Sequence, residues 1–370
     1  MKIRAAVCRE ANKPLSIEEL ELAPPKANEI LVKFAYTGWC HSDYHLVKGE
    51  IPIDMPFVIG HEASGVVQEV GPGVTHVAPG DHVVTTWMIP CGKCPSCLQG
   101  KGYICQGHFE PFLKGLLLDG TTRLTDANGD KVLHGNFVSG FANYSVVPAQ
   151  GAIKLQKDLP LDWACFLGCC VPTGWGSVYN VAKVHPGESV AVWGMGGVGL
   201  NIIRAAKMRL ADPIIAVDLE GSKENLAREF GATHFINNSK DDPVPIINEQ
   251  IAPGGLDYAF EAIGDPGAIV QAWWTTKIGG RLVIPGITPH DADTALPLML
   301  LPLHEKAIIG TLYGNISTEI EIPRLADLAA TGELKLDKLI SKYFKLEEIN
   351  DVIDAMERRE IKGRWVCKWD

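Results

Sequence analysis

Ser189-Val190-Ala191-Val192-Trp193-Gly194-Met195-Gly196-Gly197-Val198-Gly199 is the stretch that decides how the second half of this chain folds. Residues 189–193 form a short apolar, β-branched run, the pattern of a strand buried on both faces. The glycines follow at once, and an apolar stretch of helical character then runs to about Arg209. A second apolar run, Ile214-Ile215-Ala216-Val217, ends at Asp218, nineteen positions past Gly199. Strand, glycine turn, helix, and an acidic residue closing the next strand: that is the setting of a dinucleotide-binding fingerprint. Gly194, Gly196, Gly197 and Gly199, with Val198 among them, let the backbone approach a pyrophosphate at the helix N-terminus. Asp218 is placed to accept hydrogen bonds from a ribose and to repel a 2′-phosphate, which favours NAD over NADP. The competing reading is a glycine-rich turn in an unrelated α/β domain.

Outward from this stretch, helix and strand signals alternate through residues 222–230, 234–236, 256–260, 268–277 and 280–284. Such alternation implies a doubly wound parallel sheet covered on both faces. The first 150 or so residues read differently. Short strand candidates at 30–34, 66–70 and 82–84 are separated by Pro- and Gly-containing turns, which describes a β-rich domain carrying functional loops. Past residue 312 the pattern is mixed again, with a helix expected over 346–359 and a last strand over 364–367. The fold class expected is therefore α/β, a β-rich domain plus a doubly wound sheet.

The composition is that of a globular chain: 46% hydrophobic and 21% charged residues in 370, with a formal net charge of −10. The acidic balance argues against nucleic acid or an anionic membrane as partner. No apolar run reaches the roughly 18 residues of a membrane span, and the first dozen residues lack an export-signal core. A cytoplasmic protein is expected. Seven of its ten cysteines fall in two clusters, Cys91, Cys94, Cys97 and Cys105, and Cys165, Cys169 and Cys170, and tight clusters without an export signal read as metal sites before disulfides.

Cys91-x2-Cys94-x2-Cys97-x7-Cys105 places four thiolates close enough to surround one zinc ion and leave no open position. A site of that kind staples a loop and does no chemistry; the alternative is four free or paired cysteines. A second group is looser. Cys40 and His61 lie 21 positions apart, and Cys169 is far along the chain. Three protein ligands with a fourth position open are what a catalytic zinc requires. Glu62 is a candidate transient ligand or supporting carboxylate, and Asp43 a candidate to hold the far nitrogen of a ligand histidine. Spacing alone leaves two readings here, a metal centre or ordinary core residues.

Gly60-His61-Glu62, the four-cysteine lobe, Gly168-Cys169 leading to Thr173-Gly174, and the glycine fingerprint together resemble the zinc-containing medium-chain alcohol dehydrogenases from end to end. The resemblance implies a GroES-like catalytic domain over residues 1–170 with a structural zinc lobe near 90–106. It implies a Rossmann domain over 171–312 and a return to the catalytic domain over 313–370. Two zinc ions per chain and NAD are the implied cofactors, with Cys40, His61 and Cys169 on the catalytic zinc and Cys91, Cys94, Cys97 and Cys105 on the structural one. Ser42 and His45 match positions that carry the alcohol proton away, an imidazole being suited to that work near neutral pH. His41, Lys223, Ile263 and Arg364 match positions at the cofactor, and Thr173 one near the nicotinamide.

The pocket positions implied by resemblance are Trp87, Phe109, Asn136, Ile287 and Leu312, with Gly135 nearby. Their aromatic and aliphatic character suits an apolar primary alcohol, aromatic or allylic ones included. Ile51 and Phe109 stand where glutathione-dependent formaldehyde dehydrogenases carry an acidic residue and an arginine, which argues against a glutathione adduct as substrate. The long segment 109–136 is similar to that of dimeric members and of nicotinoproteins, which keep NAD(H) bound and use a second substrate as acceptor. That mode is the alternative reading. A homodimer, or a tetramer, is expected, through edges near residues 281–285 and 306–312.

Overall fold

The computed structural model describes all 370 residues. They form two compact units, Met1–Cys169 with Ser317–Asp370, and Cys170–Ile316. The first unit is therefore built from both ends of the chain.

In this first unit, five short strands (Lys2–Cys8, Ser16–Leu22, Leu124–Thr125, Lys131–His134, Phe57–Val58) close into a barrel. A larger sheet runs beside it in the order Ala152–Leu155, His82–Thr85, Glu62–Val70, Glu29–Gly38, Arg364–Lys368, Ile340–Phe344, and Tyr144–Pro148 also pairs with Glu29–Gly38. The long strand Glu29–Gly38 is buried along most of its length, as its run Ile30-Leu31-Val32 requires, and Ile30, Val32 and Phe34 pack with Ala63, Val67 and Val83. Its antiparallel register puts Gly38 opposite Glu62, so the entry to Cys40 and the exit from His61 lie side by side. A Cβ at Gly38 would come within 2.7 Å of the Glu62 carboxylate, so a side chain there would have to displace that carboxylate. The C-terminal strand pairs Val366 with Gly38 and thereby brings residues near 364 to the same place.

The second unit is a six-stranded parallel sheet. Its order is His234–Asn237, Ile214–Asp218, Val190–Trp193, Leu256–Glu261, Thr276–Ile284, Ala307–Gly310. In chain order this is third, second, first, fourth, fifth, sixth: the doubly wound arrangement whose crevice opens where the winding reverses, beyond the first strand. Val190, Ala191, Val192 and Trp193 are all buried, in keeping with a strand covered on both faces. The expected helix over 268–277 is observed as Pro266–Thr275, started by the Asp265 side chain accepting the Ala268 N–H. It stops earlier than expected because β-branched Thr275 and Thr276 turn the chain into the strand Thr276–Ile284. The helix expected over 346–359 is continuous α-helix only over Ile349–Glu357.

Candidate active site

Cys40 ends the strand-to-helix turn and caps the helix His41–Lys48. Asp43, in the first turn, accepts the Cys40 backbone N–H with one oxygen, at 3.2 Å, and faces His61 Nδ1 with the other, at 2.9 Å. One carboxylate thus orients both groups. With Nδ1–H held by Asp43, Nε2 of His61 is left as a lone-pair donor. The ligand atoms of Cys40, His61, Glu62 and Cys169 all lie within 4.8 Å of one another, and all four residues are buried. Cys169 follows the 3-10 turn Cys165–Gly168, which packs against the strands carrying Glu62 and Thr85.

Charge settles what this cluster asks for. The neighbouring Cys169 thiol, with Arg364 and His61, holds Cys40 well below the ordinary thiol range although burial opposes it. Burial pushes the Glu62 carboxyl up, and Arg364 partly offsets it. Arg364 reaches Glu62 at 3.3 and 3.4 Å and Cys40 Sγ at 3.8 Å. Soft thiol donors, an imidazole lone pair and a carboxylate converging in a buried cluster are a donor set for zinc.

Cys91, Cys94, Cys97 and Cys105 make a second such group, again within 4.8 Å. The short helix Pro95–Leu98 sets Cys94 at its N-cap, where the Cys97 N–H pulls its thiol down to about 6. Burial and the adjacent Cys94 push Cys97 up to about 12. Four thiols at these distances hold their negative charges together only around a cation. None of the ten cysteines is in a disulfide.

In the second unit, the helix Gly197–Met208 begins with no side chain capping its first turn, which leaves N–H groups free for an anion. Asp218 closes the strand Ile214–Asp218, accepts the Met195 N–H at 2.7 Å, and pairs with Lys223 at 3.0 Å. Ile263 lies over Gly194: a Cβ there would come within 2.5 Å of the Ile263 side chain. Val198 and Thr173 flank this region on the helices Gly197–Met208 and Cys170–Gly176, which pack together. The residues fit a dinucleotide.

Other expected residues are placed as follows. His45 is buried and His41 exposed, their rings 4.7 Å apart on the helix His41–Lys48, with Ser42 half-buried between them in sequence. Trp87 stands edge-on to His61 at 6.3 Å. Phe109, expected to face the pocket, is 57% exposed; the ring that packs on Trp87, at 5.7 Å, is Phe112, which in turn meets Phe137 at 5.6 Å. Both phenylalanines stand on the short helix Phe109–Leu113, three residues apart; Phe112 is half-buried against Trp87 and Phe109 remains exposed. Asn136 is buried next to Phe137, while Ile287 and Leu312 lie partly exposed in the other unit. Ile51 is half-buried and packs on an apolar cluster with Ile53 and Met55. Sequence reasoning missed Phe112, Phe137 and Glu50, the last of which pairs with His45.

These are the features of a zinc- and NAD-dependent oxidoreductase of two-domain architecture. Residues 26–157 match the alcohol dehydrogenase GroES-like domain, and residues 197–331 match the zinc-binding dehydrogenase family. The chain is 39% identical to alcohol dehydrogenase class-3 of Cereibacter sphaeroides, over 97% of this chain and 98% of that one. It is 38% identical to S-(hydroxymethyl)glutathione dehydrogenase of Paracoccus denitrificans, with the same coverage of 97% and 98%. Among solved structures, benzyl alcohol dehydrogenase of Acinetobacter calcoaceticus superposes with a TM-score of 0.92 at 33% identity, covering 100% of both chains. The chain belongs to the zinc-containing medium-chain alcohol dehydrogenases, and its cofactors are zinc and NAD. No helix is long and apolar enough to cross a membrane.

Proposed function

We propose that this enzyme oxidises apolar primary alcohols, aromatic ones included, and reduces the matching aldehydes. Cys40, His61 and Cys169 hold the catalytic zinc with Glu62 behind it, and Cys91, Cys94, Cys97 and Cys105 hold a structural zinc. When bound, zinc supplies a Lewis acid that acidifies the alcohol hydroxyl, and NAD supplies the hydride acceptor. Asp43 keeps His61 in the tautomer that can ligate. Ser42 receives the hydroxyl proton and His45 takes it onward. Asp218 selects NAD through the ribose, and Gly194 to Gly199 seat the pyrophosphate.

The observation that carries the substrate reading is Trp87 standing against His61, with Phe112 packed on Trp87 and Phe137 on Phe112. Flat apolar walls favour a flat apolar substrate and offer nothing to a charged peptide. Ile51, packed in an apolar cluster, and Phe109, exposed, offer no charge to a glutathione adduct. Names of relatives point both ways, to benzyl alcohol and to S-(hydroxymethyl)glutathione. A homodimer through the sheet edge Ala307–Gly310, where Ile308 is exposed, and a cytoplasmic location suited to ten cysteines that form no disulfide complete the reading.

The test is a substrate panel on purified enzyme whose zinc and released dinucleotide have been quantified. Benzyl alcohol with added NAD should give a higher kcat/KM than S-(hydroxymethyl)glutathione or small polyols, with two zinc ions per chain. A glutathione adduct as best substrate would overturn the pocket reading. Stoichiometric bound NAD(H) with turnover only in the presence of a second acceptor would establish the nicotinoprotein mode.

A further inference from the structure

The sequence His45-Leu46-Val47-Lys48-Gly49-Glu50 ends one helix and reverses on itself. Gly49 takes a left-handed conformation, φ 73°, which a residue with a Cβ adopts only under strain. The N–H of Glu50 then donates to the carbonyl of His45 at 2.9 Å, and the N–H of Ile51 approaches the same oxygen. This turn aims the Glu50 side chain back along the helix, where its carboxylate meets Nδ1 of His45 in a close hydrogen bond. The two ends of the pair differ in environment: the His45 side chain is 7% exposed and that of Glu50 32%.

We propose that Glu50 is the positioning residue of the proton relay, holding His45 in the Nδ1–H tautomer and pairing the charge His45 acquires when it takes the substrate's proton. The proposal rests on His45 being the relay base. A carboxylate accepts only, so a neutral His45 beside it carries its proton on Nδ1 and presents Nε2 as the acceptor. One proton leaves the alcohol hydroxyl and arrives at Nε2. The imidazolium so formed is paired by Glu50, which keeps the Nδ1–H throughout and does not itself gain a proton. Loss of one proton from Nε2 to water restores the neutral ring, so each alcohol oxidised releases one proton.

Other titratable groups around the ring do not supply this charge. His41 stands 4.7 Å away and Tyr44 6.3 Å away, both on the same helix. Lys48 is turned aside to Glu357, and Asp43 is committed to His61. Cys40 and Arg364 act electrostatically on His41, the neighbouring imidazole on the same helix.

The experiment compares wild type, E50Q, E50D and H45Q in the burst of NADH formation, with the His45 tautomer read from its imidazole 15N NMR shifts in the absence of substrate. Glutamine keeps the shape and removes the charge. In E50Q the single Nδ1–H tautomer should give way to a mixture, because an amide can donate as well as accept. The burst rate should drop about tenfold, with alcohol KM and NADH affinity within twofold of wild type. E50D should restore the single tautomer. A purely structural Glu50 would lower thermal stability and leave the tautomer in place, which overturns the proposal. H45Q with a wild-type burst rate would instead remove the relay assignment itself, a result that the E50Q tautomer alone cannot mimic.

Discussion

Nδ1 of His61 lies 2.9 Å from Oδ1 of Asp43, and both side chains are buried. Asp43 thereby fixes the His61 ring and raises its basicity, while its second oxygen pins the Cys40 backbone. Asn at this position keeps an acceptor but loses the charge. D43N should therefore weaken zinc at this centre by roughly 10- to 100-fold. Competition with a chromogenic chelator, with the four-cysteine zinc as internal reference, measures it. Equal resistance of both zinc ions in the variant would count against this role.

The two cysteine groups should separate cleanly on mutation. Cys40 is among the buried ligands around His61, so C40S should retain one zinc per chain, fold, and show no turnover. Cys94 belongs to a lobe whose flanks are exposed, Leu98 and Ile104 among them, and which has no apolar core of its own. C94S should lose the other zinc, lower the melting temperature and reduce solubility, with residual turnover in the folded fraction. Metal analysis beside activity distinguishes the two; retained activity in C40S would refute its place at the centre.

How much of this was readable from the chain depends on sequence distance. The four cysteines fall within one short segment, and the glycine fingerprint with Asp218 within one βαβ unit, so local spacing carries both. Cys40, His61 and Cys169 meet only because Gly38 pairs with Glu62 and the 3-10 turn before Cys169 packs on the same sheet. Spacing does not encode that, and resemblance supplied it. Arg364 is 302 residues from Glu62, and its burial on that carboxylate follows from the last strand joining the first sheet. Phe109 and Phe112 are the same residue type three positions apart on one short helix, and only tertiary packing decides which of them meets Trp87. Glu50 was overlooked because an exposed-looking glutamate after a glycine carries no signal until the turn is built.

Asp218 makes a prediction about cofactor choice. Its carboxylate already binds the Met195 N–H and Lys223, so it is held rigidly at the strand end. Replacing it with serine removes the ribose acceptor and the charge that repels a 2′-phosphate, and frees Lys223. D218S should lose about tenfold in NADH affinity while NADPH affinity rises. Fluorescence titration of both cofactors checks this, and unchanged preference would argue against Asp218 as the selector.

His134 predicts an acid sensitivity separate from the metal centre. It ends the strand Lys131–His134, fully buried, with Nε2 accepting the Arg123 N–H at 3.2 Å and Nδ1 next to Ser139 Oγ at 3.1 Å. Both nitrogens are thus used by a neutral ring. Burial, then the Arg123 guanidinium, depress its pKa from 6.5 to about 3. Between those values the unfolded chain binds a proton that the folded chain refuses. Stability is therefore full above pH 6.5 and falls as pH drops toward 3, by up to about 1.4 kcal/mol per pH unit. From pH 7.5 to 5 the loss from this residue is about 2 kcal/mol. Glutamine cannot titrate, so H134Q should be less stable than wild type at neutral pH yet lose less on acidification. Denaturant unfolding of both proteins at the two pH values gives the comparison. Parallel losses in the two would mean that His134 is protonated in the folded state.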